Sequence, residues 1–110
     1  MKKIVNLTPH ALNLYQGDKL VETIPPAGKV ARVKLERVVI GDVNGFPITK
    51  TNAVSVENVP DPEPDTIYVV SGFVLSVLTD RPDVVAPDTD TESVVRDEDN
   101  RIIGVRGFRK

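Results

Sequence analysis

The sequence predicts a mainly β domain, a small antiparallel barrel or sandwich of about eight short strands with one short helix. Three observations support this class. Nineteen of the 110 residues are valine, which is stiff at its first side-chain torsion and packs well on a pleated surface. Nine prolines and seven glycines interrupt the chain too often for long helices. The length corresponds to one domain, so we expect residues 1–110 to form a single β-rich domain.

The first third of the chain predicts short strands joined by tight turns. Residues 4–7 are an apolar run that ends at the turn 8–10, because proline cannot donate a ladder hydrogen bond. Residues 12–15 and 20–24 flank a Gln-Gly-Asp-Lys turn, which predicts a hairpin. In residues 30–37 apolar and charged side chains alternate, as expected of a strand with one buried face.

The middle of the chain predicts further extended segments. Asn44-Gly45 is a strong turn signal, since both residues tolerate positive φ, and extended pieces are expected before it and at 46–48 and 53–59. Residues 60–65 alternate proline with acidic residues and predict a stiff, solvated connector. Residues 66–70 give the clearest strand, because their continuous apolar run indicates burial on both faces.

The last third predicts the single helix and a closing hairpin. Apolar residues between positions 72 and 78 recur at helical spacing, and Pro82 disfavours helix at the residue before it. Residues 84–86 form a short predicted strand. Residues 93–96 and 101–108 flank a polar turn and predict the final hairpin.

Charge is the most uneven property of the sequence. Twelve of the sixteen acidic residues lie in the segment 57–99, where Arg81 and Arg96 are the only basic residues. That segment carries charge −10 and the rest of the chain +8, which gives the net charge of −2. A negative net charge argues against a surface that binds long nucleic acid. The acidic segment could instead contact a protein partner.

Several classes of site and compartment are excluded or disfavoured by what the sequence lacks. Without cysteine the chain has no disulfide framework and no thiolate metal site, which is consistent with a reducing, cytoplasmic location. No apolar run approaches the roughly 20 residues that cross a bilayer, and no signal-peptide core follows the first lysines, so we expect no membrane association. With one histidine and scattered acids, no metal and no cofactor are expected.

A few polar side chains are candidates for binding a small ligand. His10 can be structural, contact a ligand or act as a base, but one histidine without a nucleophile motif makes no catalytic constellation, so we expect no enzyme activity. Arg81 lies between two aspartates, so an ion pair or helix-end cap competes with a guanidinium fork for carboxylate or phosphate. Arginines on the last hairpin could be ordinary surface charges or hold a compact anion. The predicted binding residues are His10, Ser71, Arg81, Arg96 and Arg106.

Three segments stand out together: NLTPH at 6–10, IYVVS at 67–71 leading to RPDVVAPD at 81–88, and RDEDNRIIGVRGF at 96–108. The set resembles a family of small proteins encoded by bacteria, prophages and phages. The family implies no chemistry that can be transferred residue by residue, and its members often have glycine where this chain has Asn100. Some small phage proteins are non-enzymatic sponges for nucleotide immune signals, and the link to them is an analogy of genomic setting.

These observations predict a non-enzymatic binding protein that sequesters a small anionic ligand, with a signalling nucleotide of phage or prophage anti-defence as the first candidate. A small barrel has little interior room, so we expect a homo-oligomer whose arginines converge on phosphates while His10 or a tyrosine contacts a base. The alternative is a structural or protein-interaction module, such as a virion accessory or an inhibitor of one host protein. Its contact surface could be the acidic segment 57–99.

Overall fold

The computed structural model describes residues 2–110, and within them ten strands form three sheets beside one short helix. The elements are β1 (Lys3–Asn6), β2 (Leu12–Gln16), β3 (Lys19–Ile24), β4 (Arg32–Val43), β5 (Phe46–Glu57), β6 (Thr66–Val69), α1 (Gly72–Val77), β7 (Val84–Pro87), β8 (Val94–Arg96), β9 (Ile102–Val105) and β10 (Phe108–Arg109). The prediction of a mainly β protein with one short helix is therefore confirmed.

Two four-stranded sheets form the body of the molecule. The first has the order β1-β6-β7-β10, in which β1, β6 and β7 are parallel neighbours and β10 is antiparallel to β7. The second has the order β3-β2-β9-β8, in which two antiparallel hairpins meet through the parallel pair β2–β9. These sheets are open and mixed, so the antiparallel barrel or sandwich is not confirmed. The parallel pairs join strands that are distant in sequence, where no turn signal marks the pairing.

The core is mostly aliphatic, with Tyr68 as its one aromatic side chain among the described residues, and it centres on β6. Val69 and Val70 have no exposed surface, as expected of a strand that is apolar on both sides, and Val84 on the neighbouring β7 is equally buried. Burying each such side chain contributes about 1.5–3 kcal/mol. The six-residue helix α1 covers this core with Val74 and Leu75. Within the described residues no helix is long and apolar enough to cross a membrane.

The third sheet is a separate two-stranded ribbon formed by β4 and β5, each 12 residues long. Its turn has positive φ at Asn44 and Gly45, as predicted. The sequence predicted several short pieces here, because polar residues 49–52 interrupt the apolar alternation, but the backbone ladder continues through them. The radius of gyration is 17.2 Å, compared with roughly 13 Å for a compact domain of this length. The ribbon therefore extends from the body.

Candidate ligand-binding site

A cleft of about 650 Å³ lies where the two four-stranded sheets meet. One side is made by the segments that follow β1 and β6 and by the end of β7, since the carboxyl ends of parallel neighbouring strands lie at the same edge of a sheet. The other side is made by β2 and β9 of the second sheet. The volume is typical of sites for small molecules.

The first edge of the cleft is a loop held by a buried asparagine. Asn6 is 1 % exposed, and its amide group donates to the carbonyl oxygens of His10 and Ile24 at 2.8 and 3.0 Å. Its side-chain oxygen accepts from the backbone N–H and the hydroxyl of Thr8, at 3.0 and 2.6 Å. Every polar atom of this amide is therefore bonded, and the loop is fixed in one shape. The exposed His10 side chain lies at the end of this loop and lines the cleft.

The second edge is the junction between β6 and α1. The hydroxyl oxygen of Ser71 accepts a hydrogen bond from the backbone N–H of Val74 at 3.3 Å and so caps the helix. A hydroxyl group that accepts in this way still has its own hydrogen to donate. Ser71 is exposed and lines the cleft, so that hydrogen is available to a ligand.

The cation of the cleft is Arg109 on β10. Pairing of β10 with β7 places Arg109 opposite Ala86, and its guanidinium lies over Gly72. A Cβ atom at Gly72 would lie only 2.5 Å from one guanidinium nitrogen, so the glycine makes room for this side chain. Among residues 2–110 no hydrogen bond or ion pair is formed by the guanidinium of Arg109. Its planar set of donors is therefore free for a carboxylate or phosphate.

The floor of the cleft is mostly apolar. It includes the buried side chains of Leu12 and Val105 and the half-exposed Ile102. Gly104 allows β2 and β9 to lie unusually close, because a Cβ atom there would be 2.6 Å from the carbonyl oxygen of Asn13. The side-chain amide of Asn13 in turn donates to the carbonyl oxygen of Ile103 on the neighbouring strand β9 at 2.9 Å. Such a floor favours contact with a flat, weakly polar part of a ligand.

Two of the five predicted binding residues, His10 and Ser71, are brought together in this cleft from positions 61 apart in sequence. The three predicted arginines lie outside its lining. Arg96 donates to the carbonyl of Asn100 at 2.9 Å. Arg106 donates to the carbonyls of Gly17 and Val94, at 2.8 and 3.1 Å, and pairs with an exposed aspartate. Both side chains stabilise loops of the second sheet, and their ligand-binding roles stay predictions.

Arg81 forms the shorter of the two ion pairs found in the described part of the chain. Its guanidinium donates to both carboxylate oxygens of Asp83 at 2.9 Å and to the carbonyl of Pro60. The hydrogen bonds lower the pKa of Asp83 and raise the pKa of Arg81. Burial, followed by the negative charge of Glu63, raises the pKa of the neighbouring Tyr68. The sequence left an ion pair open as the alternative for Arg81, and the structure shows that pair.

Sequence reasoning missed Arg109, Asn6 and the two close-contact glycines. The spacing of Asn6 and Thr8 did carry a signal, because asparagine often bonds the backbone two residues on. Arg109 carried one as well, because no acidic residue lies within nine positions of it in the sequence. The final strand was predicted to run unbroken through residues 101–108, whereas the chain leaves the second sheet after Val105 and joins the first as β10.

Within residues 2–110 no three His, Asp or Glu side chains come close enough together to hold a metal ion. Comparison with protein families, curated proteins and solved structures finds no match to this chain. The resemblance to small bacterial and phage proteins therefore stays a prediction.

Proposed function

We propose that the protein is a non-enzymatic binding protein that holds a small anionic ligand in the cleft between its two four-stranded sheets. The observation that supports this best is Arg109, whose guanidinium finds no partner within residues 2–110 and lies at the edge of an apolar cleft. A cation with free donors beside an apolar surface suits a molecule with one anionic group and one flat group.

Three parts of the cleft would each contact a different part of the ligand. Arg109 would bind a phosphate or carboxylate through paired, charge-assisted hydrogen bonds. The hydroxyl of Ser71 and the imidazole of His10 would bond the polar edge of the flat group. The apolar floor around Ile102 would pack against its face. A nucleotide with one phosphate per cleft meets these requirements, which keeps a signalling nucleotide as the first candidate.

The proposal contains no chemical step. No Asp, Glu, Cys or Lys lines the cleft, so His10 has no carboxylate to orient it, and within residues 2–110 the Ser71 hydroxyl is hydrogen-bonded to the N–H of Val74 and not to His10. Retention of an intact ligand, as in a phage or prophage anti-defence protein, is the role we propose. The homo-oligomer predicted from the sequence belongs to the same proposal. The barrel or sandwich predicted for the chain also stays a proposal, since the two sheets are open.

The test is calorimetric titration and thermal shift with nucleoside monophosphates, cyclic mono-, di- and trinucleotides and ADP-ribose derivatives. Arg109→Ala should weaken binding about ten- to a hundredfold, because each lost charge-assisted hydrogen bond is worth roughly 1.5–3 kcal/mol and 1.4 kcal/mol is a factor of ten. Arg101→Ala is the matched control, since Arg101 is exposed and outside the cleft lining. Binding should also raise the melting temperature as ligand is added.

Two results would count against this function. One is that folded protein shows neither binding heat nor a thermal shift with any ligand of the panel at millimolar concentration. The other is undiminished binding by Arg109→Ala together with strong loss in Arg81→Ala or Arg106→Ala, which would return the site to the arginines predicted from the sequence. Native mass spectrometry of protein purified from its host would identify a retained ligand directly.

A protein-interaction module is the second candidate, and the exposed ribbon favours it. Leu35, Val39, Phe46 and Val54 are all large apolar side chains of β4 and β5 that remain about half or more exposed. Monomers rarely leave so much apolar surface uncovered in one region. This reading predicts no thermal shift with any small ligand in the panel.

A further inference from the structure

A second, smaller cleft of about 370 Å³ lies beside the first and shares Gly72 and Arg109 with it. The rest of its lining comes from α1, from the residues that follow the helix and from the residue after β10: Leu75, Ser76, Leu78, Thr79 and Lys110. Because the guanidinium of Arg109 lies over Gly72 and both residues line both clefts, this side chain lies at the boundary between them. A group bound in either cleft can therefore contact Arg109.

The second cleft contains a lysine that backbone groups hold in place. The ammonium of Lys110 donates to the carbonyl oxygens of Arg81 and Val84 at 2.7 and 2.8 Å. These are its only hydrogen bonds within residues 2–110, so one of its three donors is left, and neutral carbonyls do not cancel its charge. The carboxylate of Asp83, whose charge also acts on Lys110, is bonded by Arg81 through both oxygens. Lys110 is therefore a positioned cation with a donor for a ligand.

The remaining side chains of the second cleft also suit a small anion. The exposed hydroxyl of Thr79 forms no hydrogen bond within residues 2–110, so it can donate to a ligand. The hydroxyl of Ser76 already donates to the carbonyl oxygen of Phe73 at 2.6 Å. Among residues 2–110, no aspartate or glutamate side chain lines this cleft, although the exposed Asp80 directly follows Thr79. Two cations and a free hydroxyl thus line a space without acidic side chains.

We propose that the second cleft is a subsite for a second phosphate, so that the ligand is a nucleotide with two adjacent phosphates rather than a nucleoside monophosphate. This inference rests on the proposed function, in which the first phosphate and the flat group occupy the first cleft. A guanidinium has five N–H donors, and one phosphate bound through a pair of them leaves the others for a second phosphate. Lys110 and Thr79 then bind the second phosphate from the side away from Arg109.

The first test compares calorimetric titrations of the full chain with the monophosphates and diphosphates of adenosine and guanosine. The diphosphate should bind at least about tenfold more tightly than the monophosphate of the same nucleoside, because each added charge-assisted hydrogen bond has at least that effect. Lys110→Gln removes the charge and keeps an amide donor for the two carbonyls, so it should remove most of this preference and leave the monophosphate affinity unchanged. Lys19→Gln is the matched control, since Lys19 is exposed and lines neither cleft.

A second variant keeps the test decisive if Lys110→Gln does not fold. Ser76 is exposed on α1 and lines the second cleft but not the first. Ser76→Glu adds a negative charge to the second cleft, so it should weaken binding of the diphosphate much more than binding of the monophosphate. Ser76→Gln has the same size without the charge and should keep the preference for the diphosphate.

The outcomes separate this subsite from the proposed function. Equal affinity for the monophosphate and the diphosphate, or a preference that survives in both Lys110→Gln and Ser76→Glu, would overturn the second subsite and leave the first cleft as a nucleotide site. If no nucleotide binds, inorganic pyrophosphate becomes the probe. Pyrophosphate binding that Lys110→Gln weakens would support the subsite while the proposed function fails, and absence of pyrophosphate binding would overturn both.

Discussion

Replacing Asn6 with alanine tests the loop that holds one edge of the cleft. The change removes all four hydrogen bonds of the amide and leaves the carbonyls of His10 and Ile24 and the N–H of Thr8 without this partner. An unsatisfied buried polar group costs about 1–3 kcal/mol. Asn6 is 1 % exposed and Thr8 is 8 % exposed, so water reaches them poorly. The carbonyl of His10 can still accept from the Thr8 hydroxyl at 2.9 Å, so two of these three groups stay unpaired. Asn6→Ala should therefore cost roughly 2–6 kcal/mol of the about 5–15 kcal/mol typical of a domain.

Urea unfolding followed by circular dichroism measures this loss, and Asn52→Ala provides the control. Asn52 is half-buried on β5, and its side chain forms no hydrogen bond within residues 2–110, so its loss should cost less than about 1 kcal/mol. Thr8→Val should give an intermediate loss, because it removes the hydroxyl that donates to the Asn6 side-chain oxygen or to the His10 carbonyl and keeps the amide contacts to His10 and Ile24. If Asn6→Ala were no more destabilising than Asn52→Ala, the loop would not depend on the buried amide, and the account of how His10 is positioned would be wrong.

Two further changes follow from contacts already described. Gly104→Ala should lower the free energy of unfolding by about 1–3 kcal/mol, the usual cost of overpacking, because β2 and β9 must move apart. In Gly41→Ala the added Cβ atom meets no atom within 4 Å, so this control should lose less stability when both variants are unfolded in urea. Asp83→Asn should cost about 1.5–3 kcal/mol at pH 7, the strength of a hydrogen bond to a charged group. Because folding lowers the pKa of Asp83, its stabilising effect is present above the ordinary aspartate pKa near 3.9 and is lost as pH falls through the lower folded-state pKa. The difference between Asp83→Asn and the unmodified protein should therefore shrink towards zero in unfolding curves at pH 3 and below; a constant difference would exclude this linkage.

The parts of the fold that were predictable are those set by neighbours in sequence. The two-sided apolar run 66–70 gave β6, the helical spacing after Ser71 gave α1, and Asn44-Gly45 gave the ribbon turn. In each case the signal and the structure it specifies lie within a few residues. The hairpins β2–β3 and β8–β9 follow the same rule.

The pairing of distant strands was not predictable in this way. β1, β6 and β7 become parallel neighbours across long connections, and their choice of partner depends on how the whole apolar set packs. The cleft lies at the carboxyl ends of these strands, so its location could not be predicted without their order in the sheet. His10 and Ser71 could be named as candidates because of their residue types, but their proximity could not.

The arginines show how local sequence limits the prediction of a binding site. Arg81 has an aspartate two residues later, and the two side chains pair. Arg109 has no acidic residue within nine positions and crosses to the other sheet, so its donors stay free while those of Arg81 are occupied. A guanidinium far from acids in sequence was a better candidate than one beside them.

Under the proposed function, the acidic segment and the cleft together would select which anions bind. The cleft lining contains Arg109 and no acidic side chain, yet Thr89, which lines it, has an aspartate on each side. Charges act over about 8 Å at physiological ionic strength, so those aspartates repel the flanking phosphates of a long polyanion more than a compact anion seated against Arg109. The same charge distribution that disfavours long nucleic acid is thus compatible with a small anionic ligand.

Rising salt should therefore weaken binding of a mononucleotide through Arg109. The double variant Asp88→Asn with Asp90→Asn should let a longer oligonucleotide compete better with the mononucleotide, which titration with both ligands measures. If the oligonucleotide competed equally before and after the change, the acidic loop would have no part in ligand selection.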